Sequence, residues 1–412
     1  MEQRKISVRG RNPSMAVQVA AHKPGESISA KSLYEVAEGF VPEIRRRALK
    51  MERSHRLDDD LIDAMEAAGL FSALVPKRWG GAGLGPREVN RISEILGSAD
   101  CSTAWVSTFF ILHNWFLCRF PLEVQQQLYK DCSSVRCAAA WSPPGSAARV
   151  DGGYRITGRW GYASGVLHAP YALVPAIVDK SAYWFIVARE HLEMFDDWDM
   201  ASMVATGSVT IATKDTFVPD GWGIEIRKLM SGTGHGGTFH EEDIYRQSFS
   251  VLSMAVPSIS LGALDAAVEV GRERLRNSKP FGIARIERVP SRIRWVRAYE
   301  AARLARLIRD AVTEDAIQCA QSGRPLSLED EACMGLHGVS VMQGIKDAAR
   351  LLVDGFGTSG YRADDQIRRV SSDVAMITTH ALGGDYDIVM DRHARWVLGL
   401  GMEAGDPATR FA

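Results

Sequence analysis

The stretch Asp151-Gly152-Gly153-Tyr154-Arg155-Ile156-Thr157 decides the fold. Asp-Gly-Gly is a tight-turn signal, because a two-residue hairpin needs positive φ and glycine adopts it without strain. The residues after it alternate apolar and polar, the period-two pattern of a strand with one buried face. Similar runs recur at Tyr171-Ala172-Leu173-Val174, Tyr183-Trp184-Phe185-Ile186-Val187 and Ser208-Val209-Thr210-Ile211. This texture starts near Val135 and fades near Val218, and on both sides the apolar spacing changes to three and four.

On the amino-terminal side, Leu33, Val36, Ala37, Phe40 and Val41 share a helical face, and Pro42 sits where a helix can restart. Asp58-Asp59-Asp60 places acids at the start of Leu61-Ile62-Asp63-Ala64-Met65, which favours a helix amino end. A mostly apolar helix covers Thr103 to Phe120. On the carboxyl-terminal side, Ile244–Leu275, Pro290–Gln321, Leu328–Val353, Ile367–Ala381 and a last stretch near Asp387–Leu398 read as long helices, enough for a bundle. The expected class is α+β and predominantly α. It has a flexible tail over 1–28, a helical domain over 29–134, a central antiparallel β-barrel or sandwich over 135–242, and a carboxyl-terminal four-helix bundle over 243–412.

Composition narrows the function. With 49 basic and 50 acidic residues the formal charge is −1, whereas a nucleic-acid binder needs a basic face to displace counterions. Hydrophobic residues at 46% and charged residues at 24% are ordinary for globular chains. The reading finds no apolar run of the roughly 20 residues that cross a bilayer. The tail lacks the apolar core of a secretory signal, so a cytoplasmic protein is expected. Cys101, Cys118, Cys132, Cys137, Cys319 and Cys333 form no CxxC pair and have no histidine at ligand spacing; they read as buried hydrophobes, with no metal site. Strands do not alternate with helices, so a nicotinamide dinucleotide fold is not expected.

The order helices, strands, helices carries a series of motifs. They are Gly69-Leu70 followed by Val75-Pro76 and Gly80-Gly81-Ala82-Gly83; Gly158-Arg159-Trp160-Gly161-Tyr162-Ala163-Ser164; Ala205-Thr206-Gly207-Ser208; and Phe217-Val218-Pro219. Together they resemble the acyl-CoA dehydrogenase superfamily over about residues 30 to 400. A dehydrogenase of that family needs a glutamate base. The two matching stretches, Met376-Ile377-Thr378-Thr379-His380-Ala381 and Asp243-Ile244-Tyr245-Arg246, contain none, although Glu241 and Glu242 lie close to the second.

The replacements resemble the two-component, reduced-flavin-dependent monooxygenases of the same superfamily. That resemblance implies FMNH2 or FADH2 delivered by a separate NAD(P)H:flavin reductase, O2 added at the flavin C4a carbon as a hydroperoxide, and one oxygen atom transferred to a small organic substrate, aromatic or polyketide-like. It also implies a homotetramer. By the same resemblance His113, Ser164 and His380 form the catalytic set. Flavin contacts fall to Trp141 and Ser142, to Tyr162, Ala163 and Ser164, to Arg276 and Phe281, and to Gly355, Gly357, Thr358 and Ser359. The chemistry suits these residue types. A serine hydroxyl both donates and accepts, so Ser164 can accept from the N5–H of reduced flavin. A histidine can donate to a peroxide oxygen or take a phenol's proton. An arginine fork grips phosphate oxygens.

Taken singly, these residues have plainer readings. Ser164 reads as satisfying a loop backbone, His113 as a hydrogen-bonded core residue among Phe109, Phe110, Trp115 and Phe116, and His380 as a helix C-cap. Their joint placement on the family's positions is what marks them. The eleven arginines between Arg272 and Arg309 interleave with Glu273, Glu287, Glu300 and Asp310, the pattern of a solvated or subunit-facing helix rather than a groove reader. Two other readings stay open: a dehydrogenase with a displaced base, and a homologue that kept the fold without catalysis.

Overall fold

The computed structural model describes residues 29–141, 143–380 and 386–400, so the 1–28 tail and Ser142 lie outside the described residues. Five helices come first: α1 Ala30–Arg53, α2 Asp59–Ala67, α3 Pro86–Gly97, α4 Cys101–Leu117 and α5 Leu122–Leu128. Ser29 and Ser32 close a capping box at the start of α1, each side chain taking the other's backbone N–H. Pro42 does not restart the helix; it sits inside an unbroken α1. The buried face of Leu33, Ala37, Phe40 and Ile44 runs straight past it. Burial of that stripe outweighs the one backbone bond that proline cannot make.

Eight strands follow: β1 Cys137–Ala139, β2 Gly145–Val150, β3 Gly153–Trp160, β4 Tyr171–Val178, β5 Ser181–Ala188, β6 Glu193–Phe195, β7 Thr210–Pro219 and β8 Gly223–Glu225. They make one sheet in the order β6-β7-β3-β2-β4-β5-β8, with β1 beside β4. The predicted hairpin is present: Val150 pairs with Gly153, and Gly152 takes φ 71° at the turn. The purely antiparallel expectation needs amending, because β4 runs parallel to both β1 and β2. Parallel pairing requires a long crossover, and here the β2–β3 hairpin and the loop after it return the chain before β4 begins.

After α6 Ile226–Met230 the chain makes short turns, then forms α7 Ala255–Asn277, α8 Val289–Gln321, α9 Leu328–Gly355, α10 Gln366–Ile377 and α11 Tyr386–Val397. Helices α7 to α10 pack on one another as the bundle, and α11 lies on α9. The segment Phe249–Asn277 is long and apolar enough to cross a membrane by length and composition, contrary to the sequence reading, but 89% of its most apolar window is packed inside the fold.

Two glycines join the amino-terminal domain to the bundle. A Cβ on Gly97 of α3 would stand 2.2 Å from the Ile259 carbonyl oxygen, and one on Gly262 of α7 would stand 1.9 Å from that of Glu94. The helices therefore touch backbone to backbone. Glu94, buried at the crossing, accepts from Arg306 and Arg309 of α8 at 2.7 Å each. Gly262→Ala must push the helices apart, and overpacking of this kind costs about 1–3 kcal/mol. A thermal melt followed by circular dichroism is expected to shift down by several degrees, while an unchanged midpoint would contradict the close crossing.

Candidate active site

Helix α4 is the axis of the site. All its residues are buried, which suits a helix apolar on every side. Asp100 caps it, accepting from the Thr103 backbone N–H at 2.8 Å. Asn114 anchors the far end: its Nδ2 donates to the Phe110 and Val135 carbonyls at 2.7 and 3.1 Å, and its Oδ1 accepts from Val135 N–H and the Tyr129 hydroxyl at 2.9 Å each. Spacing of four residues puts Trp105, Phe109 and His113 on one face of this helix. Their rings form a ladder, with Trp105 and Phe109 centred 4.7 Å apart and Phe109 and His113 5.3 Å apart.

Facing Trp105 is a cavity of about 370 Å³, within the usual span of roughly 300–1,000 Å³ for small-molecule sites. Trp141, Tyr162 and Ser164 line it from the β-sheet, Met203 and Ser208 from the β6–β7 connection, and His380 from beyond α10. Gly165, at φ 76°, lets the β3–β4 loop approach α4 so closely that an added Cβ would meet Phe110 and Val106 at 3.0 Å. That approach sets Ser164 beside Trp105. Tyr162 is held at φ 61°, a strained conformation for a tyrosine, and its ring stands edge-on to Trp198 at 5.8 Å. Ala163 is buried and ties the loop to the next segment through its N–H to the Val209 carbonyl, 3.3 Å.

The two histidines differ in depth. The His380 ring lies 4.8 Å from Trp105 and 6.2 Å from Phe109, at the cavity. His113 is buried beyond Phe109, and its Nδ1 lies 2.5 Å from the Cys137 carbonyl oxygen. A carbonyl only accepts, so the hydrogen resides on Nδ1 and Nε2 carries the lone pair. Nε2 is buried and has no hydrogen-bond partner among the described residues. Burial lowers the pKa of both histidines to about 4, so both rings are neutral near pH 7. Trp141 continues the aromatic wall, 4.4 Å from Trp184 and 6.5 Å from Phe116, which is itself 6.2 Å from His113.

No carboxylate lines the cavity among the described residues. Glu242, one candidate for a displaced base, instead accepts the Lys77 backbone N–H at 3.0 Å, and Glu241 is exposed. Among the described residues no dehydrogenation base stands at this place.

The remaining expected flavin contacts form a second group on the bundle. Arg276 is exposed at the end of α7, and Phe281 is 97% exposed in the following turn. Arg285 bonds that turn to the Gly355 and Phe356 carbonyls at 3.2 and 2.8 Å, bringing it beside Gly355, Gly357, Thr358 and Ser359. None of these six lines the cavity in the single chain. Sequence reasoning assigned no role to Trp105, Thr206, Met203 or Ser208. For Trp105 the signal was available, since it lies eight residues before His113 on an apolar helix. Ser208 and Thr206 are joined to Ser164 only by tertiary folding.

The chain matches the family model of the acyl-CoA dehydrogenase amino-terminal domain over residues 30–129 and that of the carboxyl-terminal domain over 251–383. A pigment production hydroxylase from a Rhodococcus species is 29% identical over 383 residues, 90% of this chain and 98% of its own. The oxygenase subunit HsaA of a flavin-dependent monooxygenase from Mycobacterium tuberculosis is 30% identical over 282 residues, 64% of this chain and 72% of its own. The solved structure of XiaF from a Streptomyces species, in complex with FADH2 and glycerol, superposes with a TM-score of 0.84 at 22% identity, covering 92% of this chain and 97% of that one. The chain belongs to the acyl-CoA dehydrogenase superfamily, in its branch of flavin-dependent monooxygenase oxygenase components. The XiaF structure holds a reduced flavin. The cavity fits that group: among the described residues it presents aromatic walls, a chain of hydroxyls and the neutral His380, and no fixed charge to oppose a flat heteroaromatic ring.

The buried neutral state of His113 has a measurable consequence. Its pKa is about 4 in the folded chain against 6.5 unexposed to burial, so the unfolded chain takes up the proton first as pH falls. Stability is then lost between pH 6.5 and 4, and His113 accounts for about 2 kcal/mol of the loss from pH 7 to pH 5. In urea unfolding at the two pH values, His113→Phe is expected to shrink that difference by this amount. An undiminished acid loss would show that His113 is not buried as a neutral ring.

Proposed function

We propose that this oxygenase hydroxylates a small aromatic substrate bearing an acidic O–H, a phenol or a close equivalent. The observation that carries the reading is His113 Nε2, a buried lone pair with its tautomer set by Cys137 and no donor among the described residues. An unpaired buried acceptor costs about 1–3 kcal/mol. A substrate hydroxyl that reaches past Phe109 removes that cost by donating to it, and the hydrogen bond leaves the phenol oxygen more electron-rich, which makes the aromatic ring more nucleophilic. The surrounding rings of Phe109, Phe116 and Trp141 supply apolar faces for a flat substrate and exclude water. Bound reduced flavin supplies the electrons that activate O2, of which one oxygen atom goes to the substrate. Ser164 and Trp141 would face the flavin ring, and neutral His380 at the cavity offers one N–H and one acceptor to the groups beside it. Reduced flavin reaches the site from a separate NAD(P)H:flavin reductase.

The test supplies chemically reduced FMN or FAD, O2 and a panel of phenols, and measures hydroxylated product against H2O2. His113→Gln is expected to lower product at least tenfold and raise H2O2 while reduced-flavin affinity stays within about twofold. Product yield is expected to hold from pH 8 to pH 5 and to fall only as pH drops through about 4, where protonation fills Nε2. If His113→Gln hydroxylates phenols normally, the role of His113 as acceptor is wrong.

We infer further that the protein works as a homotetramer. Support comes from α8, where Val289, Ile293, Val296, Leu304 and Leu307 are exposed, and from the exposed Phe281 turn beside it. An exposed apolar stripe of this kind marks an interface. A second copy there would also give Arg276 and the 355–359 loop a ligand to meet. Ile293→Asp combined with Leu307→Asp is expected to yield smaller species by multi-angle light scattering, and an unchanged mass would argue against this face.

A further inference from the structure

Four side chains, Ser164 among them, are joined end to end. Trp105 Nε1 lies 3.2 Å from Ser164 Oγ, Ser164 Oγ lies 2.7 Å from Ser208 Oγ, and Ser208 Oγ lies 2.7 Å from Thr206 Oγ1. Thr206 Oγ1 in turn donates to the Met203 carbonyl at 2.8 Å. Both ends of this chain have a polarity that cannot reverse, since an indole N–H only donates and a carbonyl only accepts. Each hydroxyl has a single hydrogen. Thr206 uses its own on Met203 and must accept from Ser208, Ser208 must accept from Ser164, and Ser164 must accept from Trp105.

The consequence falls on Ser164. Its hydrogen is committed to Ser208, one lone pair is taken by Trp105, and what remains toward the cavity is a second lone pair. We propose that Trp105, Ser208 and Thr206 are positioning residues that hold Ser164 as a pure acceptor, so that the site selects reduced flavin over oxidised flavin. Reduced isoalloxazine carries N5–H and can donate to that lone pair. Oxidised isoalloxazine presents a bare N5, which also only accepts, so two lone pairs would face each other. The inference rests on Ser164 facing the flavin ring, as read above, and adds which neighbours give the serine its sense.

The polarity is anchored by ordered structure on both sides. Trp105 belongs to the buried helix α4, and its ring is packed by Phe109 and His380. At the other end, the Met203 backbone N–H is held by Asp373 of α10 at 2.7 Å, which steadies the turn whose carbonyl terminates the chain. Met203 itself is at φ 53°, so this turn is a shaped element rather than a regular one.

The experiment is an anaerobic titration of the full-length protein with FMN and with FAD, each oxidised and dithionite-reduced, giving the ratio of the oxidised to the reduced Kd. Wild type is expected to favour the reduced form. In Ser208→Ala the Ser164 hydrogen is released and can donate to bare N5, so oxidised flavin should bind about tenfold more tightly while reduced flavin changes little, the size of one net hydrogen bond. Thr206→Val keeps the side-chain volume and frees the chain from its far end, because Ser208 can then turn its hydrogen to Ser164; the ratio should fall in the same direction. Ser208→Thr, which retains the hydroxyl, should restore the wild-type ratio. A merely structural role for these residues would weaken both redox forms together. Wild-type protein that binds reduced flavin, with ratios unmoved in both Ser208→Ala and Thr206→Val, overturns the polarity assignment alone. Wild-type protein that binds neither reduced flavin overturns the flavin reading on which it rests.

Discussion

Burial of helix α4 on all sides is the constraint from which the rest follows. A helix with no polar face has to be surrounded, and here the helices α3, α7 and α10, strand β1 and the turn around Thr206 do so. The few polar atoms it carries then need partners from those neighbours. Asn114 takes the backbone of Val135 at the entry to the sheet, His113 takes the carbonyl of Cys137 in β1, and Trp105 takes Ser164 beyond β3. Just past the helix, the buried Arg119 guanidinium donates to the carbonyls of Leu229, Ser231 and Gln247 at 2.7, 2.5 and 2.7 Å and stacks on Trp115 at 3.8 Å. Each of these bonds satisfies a buried group whose loss would be costly. The same bonds therefore orient the side chains that face the site.

The site works through the direction of hydrogen bonds rather than through charge. Both histidines are neutral, no carboxylate lines the cavity among the described residues, and the polar inventory is hydroxyls, an indole N–H and imidazoles. In a dry, aromatic surrounding, whether an atom donates or accepts decides what can sit beside it. His113 offers a lone pair because Cys137 holds its hydrogen, and Ser164 offers one because Ser208 holds its own. Asp373, buried behind the Met203 turn with its pKa raised to about 7 by desolvation, accepts the Met203 backbone N–H.

Much of this architecture was legible in the chain. Period-two runs around the Asp151-Gly152 turn, flanked by three–four spacing, announce helices, sheet, helices, and the structure has that order. His113, Ser164 and His380 stood out only through their joint family positions, and folding brings Ser164 and His380 to one cavity with His113 behind Phe109. Local patterns were less informative where tertiary packing overrides them. Pro42 looked like a break, yet the stripe from Leu33 to Ile44 carries the helix through it. The parallel contacts of β4 could not be read, because pairing direction depends on where loops deliver a strand and not on the strand's own residues.

Residue identity by itself determined the helix–strand–helix order, the absence of a glutamate at the family's two base positions, and a central helix too apolar to face water. These follow from side-chain chemistry and period, which are local properties. Only the tertiary structure decided which atom of each functional side chain is left open. Trp105, Ser164, Ser208 and Met203 lie on three separate segments, and a hydroxyl has no sense of its own until its partners are in place. Hydrogen-bond direction is a property of the assembled chain of donors and acceptors, and it exists only once α4 is buried among them.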